Sequence, residues 1–135
     1  VGPSPGGWRI GTAPTHLTAH LPCMQPAQGL MVLHAVHAEQ VLEPPSNARV
    51  LGGDTFAPVG MMAVGAHMLS TQYHPELSRE FMLALFDAFG DEWPPEQVAQ
   101  ARRQVSTQAV DAALFMRWLV QFFEAAPRAG ERRDA

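Results

Sequence analysis

The sequence predicts an α/β chain, with strands filling the first part and helices the second. Three observations carry that expectation. Residues 30–37, Leu-Met-Val-Leu-His-Ala-Val-His, are a mostly apolar run of strand length. Residues 59–64 and 67–73 are two further runs of strand character, and Gly65-Ala66 between them reads as the turn of a hairpin. After Glu80 the apolar residues recur at three- and four-residue steps, the spacing of helices buried along one face.

Residues 1–29 are rich in proline and glycine and read as loop, with a short strand at 10–18. The strand at 30–37 runs into the turn cluster Glu43-Pro-Pro-Ser-Asn-Ala48. Arg49-Val-Leu51 starts a short strand that stops at Gly52-Gly53, and the hairpin follows. A helix over 80–89 places Phe81, Leu85 and Phe89 at four-residue steps, with Gly90 as its stop. Pro94-Pro95 opens a polar helix through Gln104, since the first turn of a helix tolerates proline. From Thr107 a long amphipathic helix carries Val110, Leu114, Trp118, Leu119, Phe122 and Phe123 on one face. Residues 129–135 read as a charged, frayed tail.

Composition narrows the functional classes. The chain has 135 residues, enough for one domain, and 47% hydrophobic with 16% charged residues is a globular balance. A formal charge of −4 offers no basic footprint, so no nucleic-acid partner is expected. No apolar run is long enough to span a membrane, and residues 1–7 lack the features of a signal peptide. The single cysteine, Cys23, excludes an internal disulfide, which fits a cytoplasmic location.

The chemistry concentrates in Ser70-Thr-Gln-Tyr-His-Pro-Glu76, at the end of the hairpin's second strand. In extended backbone, residues two apart share a face, so His74 and Glu76 project together. Pro75 favours that geometry by fixing its own φ and pushing its predecessor towards extended conformations. A carboxylate is then set to hold one imidazole nitrogen, as a catalytic histidine requires. The bland alternative is a surface histidine beside an acidic residue at a helix start.

Ser70-Thr-Gln-Tyr-His-Pro-Glu76 resembles the closing motif of class I glutamine amidotransferases, Gln-(aromatic)-His-Pro-Glu after a strand. Upstream, Gly7-Trp-Arg-Ile-Gly11 resembles the family's Gly-Trp-x-x-Gly segment. His34-Ala-Val-His-Ala-Glu-Gln-Val41 before Pro44-Pro45 is similar to its His-(small)-(acidic)-x-Val stretch. The ordered set spans residues 7–89 and looks closest to stand-alone amidotransferases related to the glutaminase part of GMP synthase.

The resemblance implies a flavodoxin-like domain, of which this chain would be the C-terminal half over 1–90, with a helical extension over 91–135. It implies His74 as general base and acid of a Cys-His-Glu triad, Glu76 as the group orienting it, and glutamine as the substrate. Main-chain groups of Ala38 and Glu39 fall where the family holds glutamine. No cofactor is implied. The implied partners are an acceptor synthase or a complementary N-terminal half.

The family's nucleophile elbow, Gly-x-Cys-x-Gly, has no counterpart in the sequence. Cys23 lies in Leu21-Pro-Cys-Met-Gln25, without flanking glycines and after Gly7-Trp8. Gly2-Pro-Ser-Pro-Gly6 matches Gly-x-Ser-x-Gly only as letters. An elbow uses the N–H after its nucleophile as an oxyanion donor, and Pro5 has none. The chain alone is therefore expected to be inactive.

Two other classes compete. The six histidines suggest a metal site built from His34 and His37 with His67 and His74, but His34 and His37, three apart in a strand, point to opposite faces, so no metal is expected. A non-catalytic interaction module could instead dock a partner through Trp118 and Phe122, although this stripe better suits covering the domain's own sheet.

Overall fold

The computed structural model describes residues 1–126; the tail expected at 129–135 lies outside them. Seven strands come first: β1 (Gly2–Pro3), β2 (Arg9–Leu17), β3 (Leu30–His37), β4 (Glu39–Gln40), β5 (Ala48–Gly53), β6 (Met61–Val64) and β7 (Met68–Thr71). Helices α1 (Arg79–Phe89), α2 (Pro95–Thr107) and α3 (Ala112–Ala125) follow, with a short 3₁₀ turn at Gly90–Glu92. No described helix is long and apolar enough to cross a membrane.

Strands β3-β2-β5-β6-β7 form one sheet in that order, and β1 pairs separately with β4. All described pairings are antiparallel. The β2–β3 pair is the longest, with Arg9 opposite His37 and His16 opposite Leu30. The sheet curls, so the chain leaving β7 returns to the opposite edge, where His74 N–H donates to the His34 carbonyl at 2.8 Å.

The helices cover the sheet through two apolar clusters. One gathers Met31, Leu33 and Ala35 of β3, Leu51, Met61 and Tyr73 around Phe115 and Trp118 of α3. The other joins Ile10 of β2 to Met82 and Phe86 of α1, Trp93, and Val98, Ala101 and Val105 of α2. Gly11 permits the close seat of α2, because a Cβ there would collide with Gln104 and crowd Ala101. Its φ of +104° is also one that glycine adopts freely.

Several elements differ from expectation in instructive ways. β5 ends at Gly53, as expected, but a register shift at Val50/Gly52 precedes that end. A Cβ at Gly52 would strike the His16 carbonyl, so glycine here lets β5 cross close to β2. In α1 the buried residues are Met82 and Phe86, whereas Phe81 and Phe89 face solvent. Two four-step ladders run side by side on this helix, and the one that meets Ile10 and Trp93 is covered.

Helix α2 runs on to Thr107, and α3 begins only at Ala112. Asp111 separates them, its backbone N–H donating to the Val32 carbonyl at 2.7 Å. Its carboxylate accepts from Val32 N–H at 2.8 Å, so one residue occupies both outward groups of an edge-strand position. Trp118 and Phe122 are buried as expected and Phe115 joins them, while Phe123 is 67% exposed.

Candidate active site

The segment after β7 is anchored before it reaches His74. Tyr73 is buried, and its hydroxyl accepts from Arg9 at 3.3 Å. Arg9 also pairs with Asp54 at 2.6 Å and lies over the rings of Phe56 and Tyr73. Burial pushes the Tyr73 phenol up to about 12. The bond of His74 N–H to the His34 carbonyl then fixes where the next backbone unit sits.

Across Pro75, His74 Nδ1 lies 2.6 Å from Glu76 Oε1, so the expected pair is brought together. An ionised carboxylate only accepts, so Nδ1 carries the proton and Nε2 is left as the basic atom. The side chains remain 33% and 62% exposed, which leaves the pair open to a reacting group from outside. Partial burial raises the Glu76 carboxyl, but its hydrogen bond with His74 and the nearby charge outweigh that and bring it below its ordinary value. Ser78 then caps α1, its hydroxyl accepting from Phe81 N–H at 3.1 Å.

Ala38 and Glu39 lie where β3 passes into β4. The Ala38 carbonyl accepts from Ser4 N–H at 2.8 Å. The Glu39 carbonyl takes two donors, His37 Nδ1–H at 3.0 Å and Gln72 Nε2–H at 3.2 Å. Gln72 thereby ties the Glu39 backbone to the segment that carries His74. The His37 ring is buried against Phe56 and Tyr73, and that burial pushes the imidazole below its ordinary value. Its Nε2 has no partner among the described residues.

Sequence reasoning passed over Gln72 and the Arg9–Asp54 pair, and weighed His34 only as a metal ligand. His34 and Gln72 stood inside quoted motifs, but their partners come from distant strands. Cys23 lines a cleft together with Phe122 and the Gly65-Ala66 turn, before β7, whereas His74 follows that strand. Ser4 Oγ accepts from Gly6 N–H at 3.2 Å within its own turn. Among the described residues no group of three or more His, Cys, Asp or Glu side chains suits a metal ion.

Comparison with known proteins agrees with this architecture. The fold matches the crystal structure of a glutamine amidotransferase from Thermotoga maritima with a TM-score of 0.67 at 16% identity. That match covers 91% of this chain and 54% of the other, so it continues into the helices after Gly90. Over 51 residues the sequence is 41% identical to Gamma-glutamyl peptidase 2 of Arabidopsis thaliana. Those residues make up 38% of this chain and 21% of the peptidase. No family model matches the chain.

The chain therefore has a glutamine amidotransferase-like fold, and a 51-residue stretch of it is similar to a gamma-glutamyl peptidase. The chain spans about half the length of the solved structure it matches.

Proposed function

We propose that this chain supplies the histidine–glutamate part of a Cys-His-Glu site that hydrolyses the γ-amide of glutamine. The supporting observation is the 2.6 Å contact between His74 Nδ1 and Glu76 Oε1 on an exposed turn. His74 Nε2 takes the proton of a cysteine thiol, and the thiolate attacks the carboxamide carbon. The tetrahedral intermediate collapses as His74 returns the proton to the departing ammonia. Water, deprotonated by the same nitrogen, then cleaves the thioester to glutamate and free thiol. Glu76 holds the tautomer and balances the imidazolium formed in each half-reaction.

In this proposal the thiol belongs to a complementary N-terminal half carrying Gly-x-Cys-x-Gly, and main-chain groups of Ala38 and Glu39 hold the substrate. A stand-alone, GMP synthase-like amidotransferase in the cytoplasm is the form that fits best, with ammonia passing to an acceptor synthase. The peptidase relative supports the γ-glutamyl amide of a peptide as an alternative substrate, since the same carbonyl is attacked.

A second reading, a non-catalytic interaction module, is favoured by one observation. Met116, Val120 and Phe123 lie exposed at helical spacing along α3. Complementation separates the two. The chain mixed with a polypeptide bearing the cysteine elbow should release glutamate from glutamine, and His74→Ala should abolish the release. Assembly of the two polypeptides without turnover would favour the interaction module.

A further inference from the structure

The turn that presents His74 is held at both ends by one residue of the facing strand. His34 sits in the middle of β3, only 2% exposed. Its backbone carbonyl accepts His74 N–H at 2.8 Å, and its Nδ1 lies 2.7 Å from the Leu77 carbonyl oxygen. A carbonyl only accepts, so Nδ1 carries the proton that makes the second bond. Residues 74–77 thus hang between two hydrogen bonds from a single residue, and His74 and Glu76 lie inside that span.

The staple acts where the turn is otherwise least constrained. Pro75 fixes its own φ and restricts His74, and Leu77 packs against the cluster of Ile10, Met82 and Phe86, but Glu76 between them is left free. A cleft of about 410 Å³, lined by His34, Glu76, Leu77, Gln108 and Val110, opens beside the turn. Without the second bond, rotation about Pro75 ψ or within the Glu76 backbone would swing the Glu76 carboxylate away from His74.

We infer that His34 is a positioning residue for the His74–Glu76 pair, its imidazole locking the Leu77 carbonyl and so keeping Glu76 within reach of His74. Its catalytic meaning rests on the glutaminase proposal above, but the positioning itself can be read without turnover.

The test follows the Glu76 carboxyl by ¹³C NMR titration in the wild type, His34→Leu and His34→Asn. Asparagine keeps an N–H near the position of Nδ1, whereas leucine keeps volume and loses the donor. The wild type and the Asn variant should titrate below the ordinary 4.5, and the Leu variant should return towards it. A folded His34→Leu variant with Glu76 still low overturns the inference. If the Leu variant fails to fold, long-range ¹H–¹⁵N spectra of the wild type decide. His34 protonated at Nδ1 supports the staple, and a neutral ring protonated at Nε2 overturns it. A chain that passes these tests yet never supports glutamine hydrolysis would sink the glutaminase proposal alone.

Discussion

His74 and Glu76 meet across a single proline, with Nδ1 2.6 Å from Oε1 and both side chains open to solvent. Glu76→Gln keeps the shape and removes the charge that steadies a protonated His74. In the complemented enzyme it should lower kcat by on the order of 10³–10⁴, with KM little changed. A matching rise in KM with kcat preserved would instead place Glu76 in substrate binding.

His37 should make the fold sensitive to mild acid. Burial lowers its folded-state value below 6.5, and the Arg9 and His74 charges push the same way, against the Glu39 carbonyl and Asp54. The unfolded chain therefore binds more protons below that pH. The stabilising contribution is complete above 6.5 and is lost as pH falls through the lowered value. Urea unfolding midpoints should drop between pH 7 and about 5, and less steeply for His37→Gln. Parallel profiles for the two proteins would contradict the assignment.

Asp111 closes an edge. Its carboxylate and its own N–H occupy the N–H and carbonyl of Val32 on β3, an outer strand of the sheet. Asp111→Ala leaves the Val32 N–H unpaired and should cost about 1–2 kcal/mol in urea unfolding. The freed edge should also promote self-association, visible as larger species by light scattering at matched concentration. Asp111→Asn, which keeps an acceptor, should behave like the wild type. Equal stability and size for all three would show that the edge is guarded elsewhere.

Trp118 is fully buried, with its indole N–H donating to the Pro26 carbonyl at 3.0 Å. Trp118→Ala should destabilise the fold by about 3–5 kcal/mol. With Trp8 and Trp93 replaced by Phe, the emission of Trp118 should resist iodide. Full quenching in the folded protein would mean that α3 is not seated on the sheet.

The fold was legible where one period dominated. The apolar run of β3, the hairpin and the three helices follow directly from spacing, and His-Pro-Glu predicted its own contact because the interaction is local. What stayed hidden depends on pairings distant in sequence. Gly52-Gly53 reads as a strand stop, but nothing local marks its close approach to β2. In α1 either of two adjacent ladders could have been buried, and only Trp93 and Ile10 decide between them. His34 and Gln72 carry no local mark of their bonds to Leu77 and Glu39, since those partners arrive only when the sheet curls.

The central claim is that this chain carries the histidine and glutamate of the site and no working nucleophile. Glutamate release from glutamine by the 135-residue chain alone tests it most directly, measured beside Cys23→Ala and Ser4→Ala. Losing a triad's nucleophile costs on the order of 10⁴–10⁶ in turnover, so all three proteins should stay at background. Turnover by the unmodified chain that disappears in either variant would contradict the account, because Cys23 or Ser4 would then be the nucleophile.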